Sequence, residues 1–382
     1  MKRATVLALA AMFSAAAVAC GSSQTDFDPG AYGAGGGPTA AGGNKADAGI
    51  FANPQATPPS IQACRTGQDV AKQLPLHIVL MLDRSGSMCE FNPNNTSDRN
   101  CQNPASKWQQ VRGALAAFFQ SPASAGITIT TVQFPAQAGG GSNNCNANLY
   151  KQTYSQLAPL PDPGQLLFNI DSRASSNDGN TPTYDALTGG LSLAQQITAQ
   201  LTTPARVAAL MATDGIPAGC NDADNIGASA QLAAQVASTI PTYVIGVGNQ
   251  LQALDQLAVA GGTKQAFIAS TTNPQLVGQY VAAALNSIRQ AAVGCEYQVP
   301  AAPANQTLDP TKVNVEFTGF AGKGAIGQNQ GCGGNGLGWT YDNPAAPKSI
   351  KLCPTTCAQV SNDSTAKIDI VFGCATEQQK IN

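Results

Sequence analysis

Short apolar runs alternate with longer stretches of helical periodicity between about residues 75 and 293. Most of the runs have the length of a strand and no polar face, so they predict strands that are buried on both faces of a sheet. Two of them, joined by a loop rich in Gly and Asn, predict a hairpin and therefore an antiparallel edge. The predicted strands are 77–83, 127–134, 149–157, 207–213, 242–247 and 265–269.

The stretches between these runs carry apolar residues three and four positions apart, which predicts helices. In 107–120, for example, Trp108, Val111 and Leu115 lie on one stripe. The predicted helices are 107–120, 165–173, 184–200, 228–238, 251–260 and 275–291. The alternation predicts an α/β domain over 64–294, with a doubly wound, mainly parallel, six-stranded, Rossmann-like sheet that has one antiparallel edge strand.

The pattern changes after Cys295, where apolar and polar residues alternate one by one. The segments 312–317, 349–353 and 367–372 have this period of two, which is typical of strands with one buried face. Residues 295–382 therefore form a predicted small antiparallel β module. It holds five of the cysteines and has too little core to be stable without cross-links.

The N-terminus has the form of an export signal. Lys2 and Arg3 precede an apolar run that is too short to span a bilayer as a mature helix, so residues 1–19 are a predicted signal peptide. The sequence Ala17-Val18-Ala19-Cys20 resembles a bacterial lipobox, in which the cysteine receives a lipid, although Ala17 stands where Leu is usual. Ordinary cleavage after a small residue also fits, and both interpretations stay open. Residues 20–63 are rich in Gly, Ala and Pro and predict a flexible linker.

The chain has 11 cysteines, and lipidation of Cys20 leaves an even ten. An even set in an exported chain predicts disulfides. The alternative to disulfides in the C-terminal module is a zinc site with four cysteine thiolates as ligands, namely Cys332, Cys353, Cys357 and Cys374. Disulfides are favoured because Cys353 and Cys357 are spaced more widely than the paired ligands of zinc ribbons.

Charge excludes one class of partner. The chain has 20 basic and 22 acidic residues, and only 11% of its residues are charged. Nucleic-acid binding depends on clustered Lys and Arg, so this composition argues against a nucleic-acid partner.

Three stretches of oxygen-bearing side chains follow predicted strands or precede a helix. They are Asp83-Arg84-Ser85-Gly86-Ser87, the loop with Thr181 and Thr183, and the segment that contains Asp214. Loops at the carboxyl ends of parallel strands converge on one crevice. Carboxylates and hydroxyls are hard donors that suit Mg²⁺ or a similar divalent ion, so the crevice is a predicted metal site.

The order of these stretches resembles the metal-ion-dependent adhesion site of the von Willebrand factor type A domain, over roughly residues 75–293. The resemblance implies five metal-binding residues: Asp83, Ser85, Ser87, Thr181 and Asp214. It places the hydroxyls directly or nearly directly on the ion and the carboxylates on it directly or through water. Thr181 is preferred to Thr183 because it is the first Thr of the family's TxT pattern. The implied ion is Mg²⁺, with Mn²⁺ or Ca²⁺ as alternatives, and an acidic group of a partner completes its shell.

Several cysteines lie near this predicted site. Cys89 and Cys101 share one loop beside it, and we expect them to pair locally. Cys145 lies in the predicted hairpin loop and Cys220 follows Asp214, and if both loops reach the metal face, a bridge between these cysteines would rim the site. Cys295 and Cys374 bracket the C-terminal module and are further disulfide candidates.

Catalytic and cofactor-binding alternatives are weaker. The segment 322–327 matches a dinucleotide-binding GxGxxG pattern, but no helix follows it. His77 is the single histidine and begins a predicted strand away from the site, which disfavours Ser-His-Asp catalysis and histidine-ligated zinc. A metal-dependent hydrolase lacks a general base besides the carboxylates already assigned to the ion. We therefore expect a non-enzymatic protein.

The sequence thus favours a lipid-anchored protein of the bacterial cell envelope, at the outer membrane or cell surface, or a secreted protein if Cys20 is not lipidated. Its type A domain would bind a protein or glycan partner through a divalent cation, with the lipid as its only membrane contact. The alternative is a structural or assembly subunit of an envelope complex that uses the domain as a metal-independent interface.

Overall fold

The computed structural model of the chain describes residues 67–92, 94–136, 144–152, 155–162, 164–171, 180–220, 225–249, 251–273, 276–293, 295–300, 308–319, 322–361 and 366–379. The predicted signal peptide, Cys20 and the predicted linker lie outside these residues. Among the helices of the described part, none is long and apolar enough to cross a membrane.

The secondary structure consists of two groups of strands with most helices between the strands of the first group. The strands are β1 (Gly67–Val70), β2 (Leu76–Asp83), β3 (Ile127–Phe134), β4 (Ala158–Pro159), β5 (Arg206–Thr213), β6 (Thr242–Val247), β7 (Phe267–Ala269), β8 (Glu296–Gln298), β9 (Val313–Gly319), β10 (Gly322–Ile326), β11 (Trp339–Tyr341), β12 (Ser349–Leu352) and β13 (Lys367–Phe372). The helices are α1 (Lys107–Gln120), α2 (Ala147–Gln152), α3 (Gln165–Asp171), α4 (Thr183–Gln200), α5 (Ile226–Ala234), α6 (Leu254–Ala260), α7 (Val277–Val293) and α8 (Pro354–Ser361).

The larger sheet has six strands in the order β4-β3-β2-β5-β6-β7. Every neighbouring pair is parallel except β3 with β4, which is antiparallel. The predicted fold class, a mainly parallel six-stranded α/β sheet with one antiparallel edge strand, is therefore confirmed.

The central strand β2 is buried on both faces, which explains its unbroken apolar sequence. Ile78 and Leu80 point into the core under α1 and α7, where they join Trp108. Val79 and Met81 point to the opposite face and pack in the core under α4 and α6. Successive residues of a strand face opposite sides of the sheet, so one continuous apolar strand contributes side chains to both cores.

The edge of the sheet differs from the prediction. The run 149–157 was predicted as a strand, but its first residues belong to helix α2, and the antiparallel pairing is made by β4 alone. Asn146 begins the helix, because its side-chain oxygen accepts a hydrogen bond from the Asn148 N–H at 3.0 Å. Tyr150 then packs into the core against α4, where a Cβ on Gly189 would lie only 2.5 Å from the Tyr150 Cβ. This close helix contact outweighs the strand-like sequence of 149–157.

The C-terminal module contains two antiparallel sheets, β1-β13-β9-β10 and β11-β12-β8, around a shared core that includes Phe317 and Trp339. No strand was predicted at residues 67–70, which lie within the predicted first domain, but they form β1, which pairs with β13 along its whole length. The segment 322–327 contributes the strand β10, which agrees with rejecting it as a dinucleotide-binding loop. Helix α8 was not predicted.

Disulfides, rather than a zinc site, cross-link the C-terminal module. Cys332 is bonded to Cys353, and Cys295 is bonded to Cys357. Cys374 is also disulfide-bonded. The two cysteines that bracket the module are therefore not joined to each other, because the start of α8 brings Cys357 beside Cys295.

Candidate metal centre

The sheet itself brings the two predicted carboxylates together. β2 and β5 are parallel neighbours in register, with Leu82 opposite Ala212. Asp83 ends β2, and Asp214 directly follows β5, so both carboxylates leave the sheet at the same edge. The Asp83 residue is fully buried, and the side chain of Asp214 has no exposed surface.

Asp83 is held rigidly by two hydrogen bonds. Its Oδ1 accepts from the backbone N–H of Ser85 at 2.8 Å, and its Oδ2 accepts from the hydroxyl of Thr213 at 2.6 Å. Arg84, which lies between Asp83 and Ser85, turns away and donates from Nε to the carbonyl of Pro135 at 2.6 Å. The oxygen-bearing side chains of this loop therefore face the site, whereas the Arg84 guanidinium does not.

Two serine hydroxyls connect this loop to Asp214. Ser85 Oγ lies 2.9 Å from Ser87 Oγ, and Ser87 Oγ donates to Asp214 Oδ1 at 2.9 Å. A short 3₁₀ turn, Gly86–Cys89, places Ser87 over the end of β5. The structure thus brings Asp83, Ser85, Ser87 and Asp214 into one connected cluster of oxygens.

Thr181 reaches the same region through the backbone. Its N–H donates to the carbonyl of Ala218 at 2.8 Å, and the Ala218 N–H donates back to Thr181 at 3.1 Å. This pairing fixes Thr181 beside the loop that follows Asp214, with Thr181 Oγ1 only 3.7 Å from where a Cβ on Gly215 would lie. Thr183 is fully buried, and its hydroxyl donates to the Thr181 carbonyl at 3.3 Å. Thr183 therefore uses its hydroxyl in a hydrogen bond to the backbone, whereas within the described part of the chain the Thr181 hydroxyl makes no such bond.

A basic residue that sequence reasoning missed also belongs to the cluster. The Lys107 ammonium donates to Asp214 Oδ2 at 2.8 Å and to Glu90 Oε2 at 2.8 Å. Arg99 forms a second ion pair with Glu90 at 3.2 Å. Glu90 lies inside the loop that the Cys89–Cys101 disulfide closes and Lys107 follows this loop, and no periodicity in the sequence indicates that the segment folds back onto the site.

Burial and charge act strongly on these groups. Burial, together with the nearby charge of Asp214, raises the pKa of Asp83 to about 7, although hydrogen bonds from Thr213 and Ser85 oppose the rise. Burial also raises the pKa of Asp214, while Lys107 and Ser87 lower it in part. The pKa of Lys107 is raised because Asp214 and Glu90 outweigh the opposing effect of burial. Two carboxylates that repel each other in a buried site are stabilised by a cation.

Two disulfides lie beside the cluster. Cys89 is bonded to Cys101 and Cys145 to Cys220, as the sequence predicts. Asp185 lies near the sulfurs of the second bridge, and these three residues have a spacing that metal sites also show. Because both sulfurs are in a disulfide, they are not thiolate ligands.

The donor set fits a hard divalent cation. Buried carboxylates and aliphatic hydroxyls are oxygen donors of the kind that Mg²⁺, Mn²⁺ and Ca²⁺ bind. Burial and the charge of Asp214 raise the pKa of Asp83, and a cation bound beside both carboxylates would oppose this effect. A cavity of about 210 Å³ opens beside the cluster, lined among others by Phe91, Asn249 and Thr271.

Comparisons with known proteins find similarity to solved structures at low sequence identity. No family model matches the chain, and no curated protein matches it. Among solved structures, the pilus adhesin SpaC from Lactobacillus rhamnosus GG is 14% identical with a TM-score of 0.42, over 80% of this chain and 40% of that chain. The VWA domain of SpRpn10 is 14% identical with a TM-score of 0.36, over 55% of this chain and 94% of that one.

A third structure is proximal thread matrix protein 1 from the mussel byssus, described as having a zinc-occupied MIDAS motif. It is 15% identical with a TM-score of 0.34, over 59% of this chain and 49% of that one. This chain spans about two fifths of the length of the SpaC adhesin chain.

Proposed function

We propose that this protein is an exported, lipid-anchored component of a bacterial cell envelope that binds a protein or glycan partner through a divalent cation. In this proposal the α/β sheet is a type A domain, and its role is recognition rather than catalysis. The observation that carries the proposal is the connected oxygen cluster of Asp83, Ser85, Ser87 and Asp214 at the carboxyl edge of the sheet.

Each residue has a distinct part in this proposal. Ser85, Ser87 and Thr181 supply neutral hydroxyl oxygens, whereas Asp83 and Asp214 supply the negative charge. A cation bound by few carboxylates retains net positive charge, so it attracts an acidic group from a partner. The rigid hydrogen bonds that hold Asp83 keep this geometry formed before a partner arrives, which reduces the entropy lost on binding.

The lipid anchor and export rest on the sequence and on the disulfides. Four disulfides join described cysteines, and such bridges are typical of proteins outside the reducing cytoplasm. Lipidation of Cys20 would leave an even number of cysteines, as noted above. Mass spectrometry of protein purified from membranes tests the anchor directly. We expect the first residue to be Cys20 carrying a diacylglyceryl group. An unmodified N-terminus beginning at another residue would refute the anchor.

Affinity capture from envelope extracts tests partner binding. Immobilised wild-type protein is incubated with the extract either in about 5 mM Mg²⁺, a concentration chosen to saturate even a weak site, or in EDTA. We expect Asp83→Ala to lose the captured partner while its circular dichroism spectrum stays native. Asp98→Ala is the matched control, because it removes the same charge from the loop beside the site without touching the oxygen cluster.

The two functional hypotheses give opposite results in this experiment. Partner capture that disappears in EDTA and in Asp83→Ala supports cation-mediated recognition. A stoichiometric complex that survives EDTA and Asp83→Ala would refute it and would support the assembly-subunit alternative.

A further inference from the structure

Lys107 occupies an unfavourable position for a cation. It is the first residue of α1, a 14-residue helix whose first turn contains no acidic residue. The amino end of a helix carries partial positive charge, so an ammonium there is destabilised unless other groups compensate it. The compensation comes from outside the helix, from Asp214 and Glu90.

These contacts are largely shielded from water. The side chains of Lys107 and Glu90 are 15% and 12% exposed, and that of Asp214 is fully buried. Shielding strengthens the attraction within the group, because nearby charges interact more strongly when water is excluded. Lys107 therefore supplies positive charge to the same carboxylate that the proposed metal site uses.

Glu90 is fixed beside Lys107 independently of Asp214. The Lys107 backbone N–H donates to the Glu90 carbonyl at 3.1 Å, and Glu90 pairs with Arg99 in an isolated bridge across the disulfide loop. Glu90 and Lys107 also line the cavity of about 210 Å³ beside the cluster. Lys107 thus has a second carboxylate partner and adjacent open space that do not depend on Asp214.

We propose that Lys107 is an internal competitor of the divalent cation: its ammonium neutralises Asp214 in the metal-free protein, and cation binding displaces it from Asp214, so that it stays paired with Glu90 alone. This inference rests on the cation site of the proposed function. It predicts that the site binds the divalent cation with only moderate affinity, because Lys107 stabilises the metal-free state. Partner recognition then depends on a cation concentration high enough to displace it.

Calorimetric titration with Mg²⁺ tests the competition on purified protein. Replacement of Lys107 by Met keeps the length of the side chain but removes its charge, so we expect Mg²⁺ to bind at least roughly tenfold more tightly. Arg99→Met is the matched control: it removes the same charge from the other ion pair of Glu90 and should change the Mg²⁺ affinity much less. Lys107→Arg retains the charge and should retain the weaker binding.

Thermal unfolding in EDTA gives a second readout that does not require metal binding. Lys107→Met leaves the buried Asp214 without its cation, so its melting temperature without metal should fall below that of wild type and of Arg99→Met. Saturating Mg²⁺ should then raise the melting temperature of Lys107→Met more than that of wild type, because tighter binding stabilises the folded state more.

A double-mutant cycle isolates the role of Glu90. If Glu90 acts by holding the displaced ammonium, Glu90→Gln weakens Mg²⁺ binding in wild type but has a much smaller effect in Lys107→Met. Equal Mg²⁺ affinities in wild type, Lys107→Met and Arg99→Met would overturn the competition while leaving the cation site intact. Absence of Mg²⁺ binding in all of these proteins, Lys107→Met included, would overturn both the competition and the proposed site.

Discussion

Asp83→Asn is expected to stabilise the metal-free protein at neutral and alkaline pH. The pKa of Asp83 is raised from 3.8 to about 7, so the folded protein holds this proton more tightly than the unfolded chain does. Ionisation of Asp83 therefore destabilises the fold as pH rises between about 4 and 7, and this penalty is absent below pH 4. Asparagine cannot ionise, so it removes the penalty.

The magnitude follows from the size of the shift. A difference of about 3 pKa units at about 1.4 kcal/mol each corresponds to about 4 kcal/mol of lost stability at pH 8. Asparagine retains an oxygen for the Ser85 N–H, but its amide faces the Thr213 hydroxyl, which then has to donate to the Gly215 carbonyl instead. This rearrangement costs about 1–2 kcal/mol. The expected net gain is about 2–3 kcal/mol at pH 8, whereas near pH 4 the ionisation penalty is absent and the variant is about 1–2 kcal/mol less stable than wild type.

Urea unfolding in EDTA at about pH 4.5 and about pH 8 measures this difference, because the first value lies in the lower part of the titration range of roughly 4 to 7 and the second lies above it. Asp342→Asn is a control without pH dependence in this range. Although burial raises it, the pKa of Asp342 is lowered overall from its ordinary value of 3.8 by hydrogen bonds from the Ser349 and Lys348 N–H groups, so Asp342 is ionised at both pH values and the stability difference between this variant and wild type should be nearly the same at both. A free-energy difference between Asp83→Asn and wild type that does not change with pH, or a less stable Asp83→Asn at pH 8, would refute the reasoning.

Two further predictions concern the scaffold. Gly189→Ala should destabilise the protein by roughly 1–3 kcal/mol, because its Cβ would lie 2.5 Å from the Tyr150 Cβ, whereas Gly113→Ala meets no atom within 4 Å and should stabilise by roughly 0.5–1 kcal/mol. Equal melting temperatures for the two variants would contradict this packing. Replacing both Cys145 and Cys220 by Ser should lower the free energy of unfolding by about 4 kcal/mol, because the bridge closes a loop with a sequence separation of 75. An unchanged urea midpoint would count against that estimate.

The sheet and the carboxylates of the site were predictable because both depend on information that is local in the sequence. β2 and β5 are buried on both faces and therefore read as continuous apolar runs. Asp83 and Asp214 stand directly at the ends of those strands, so placing the strands in parallel also places the carboxylates together. The residue order within the loop after β2 then brings Ser85 and Ser87 into reach.

The parts that were missed depend on contacts between distant segments. Lys107 joins the site because the loop closed by Cys89 and Cys101 folds over the end of β5, and the amino-acid order of that loop carries no periodic signal. Helix α2 replaces a predicted strand because Tyr150 packs against α4. β1 is too short to indicate which sheet it joins, and its partner β13 lies about 300 residues further along the chain.

Anomalous diffraction from crystals grown with Mn²⁺ tests the central claim most directly, because manganese scatters anomalously and takes the same oxygen ligands as magnesium. We expect a single strong anomalous peak within coordination distance of the Ser85 and Ser87 hydroxyls, between Asp83 and Asp214, and no such peak in crystals of Asp83→Ala. A peak that persists in Asp83→Ala, or that lies only among exposed carboxylates elsewhere on the surface, would contradict a cation site at this edge of the sheet.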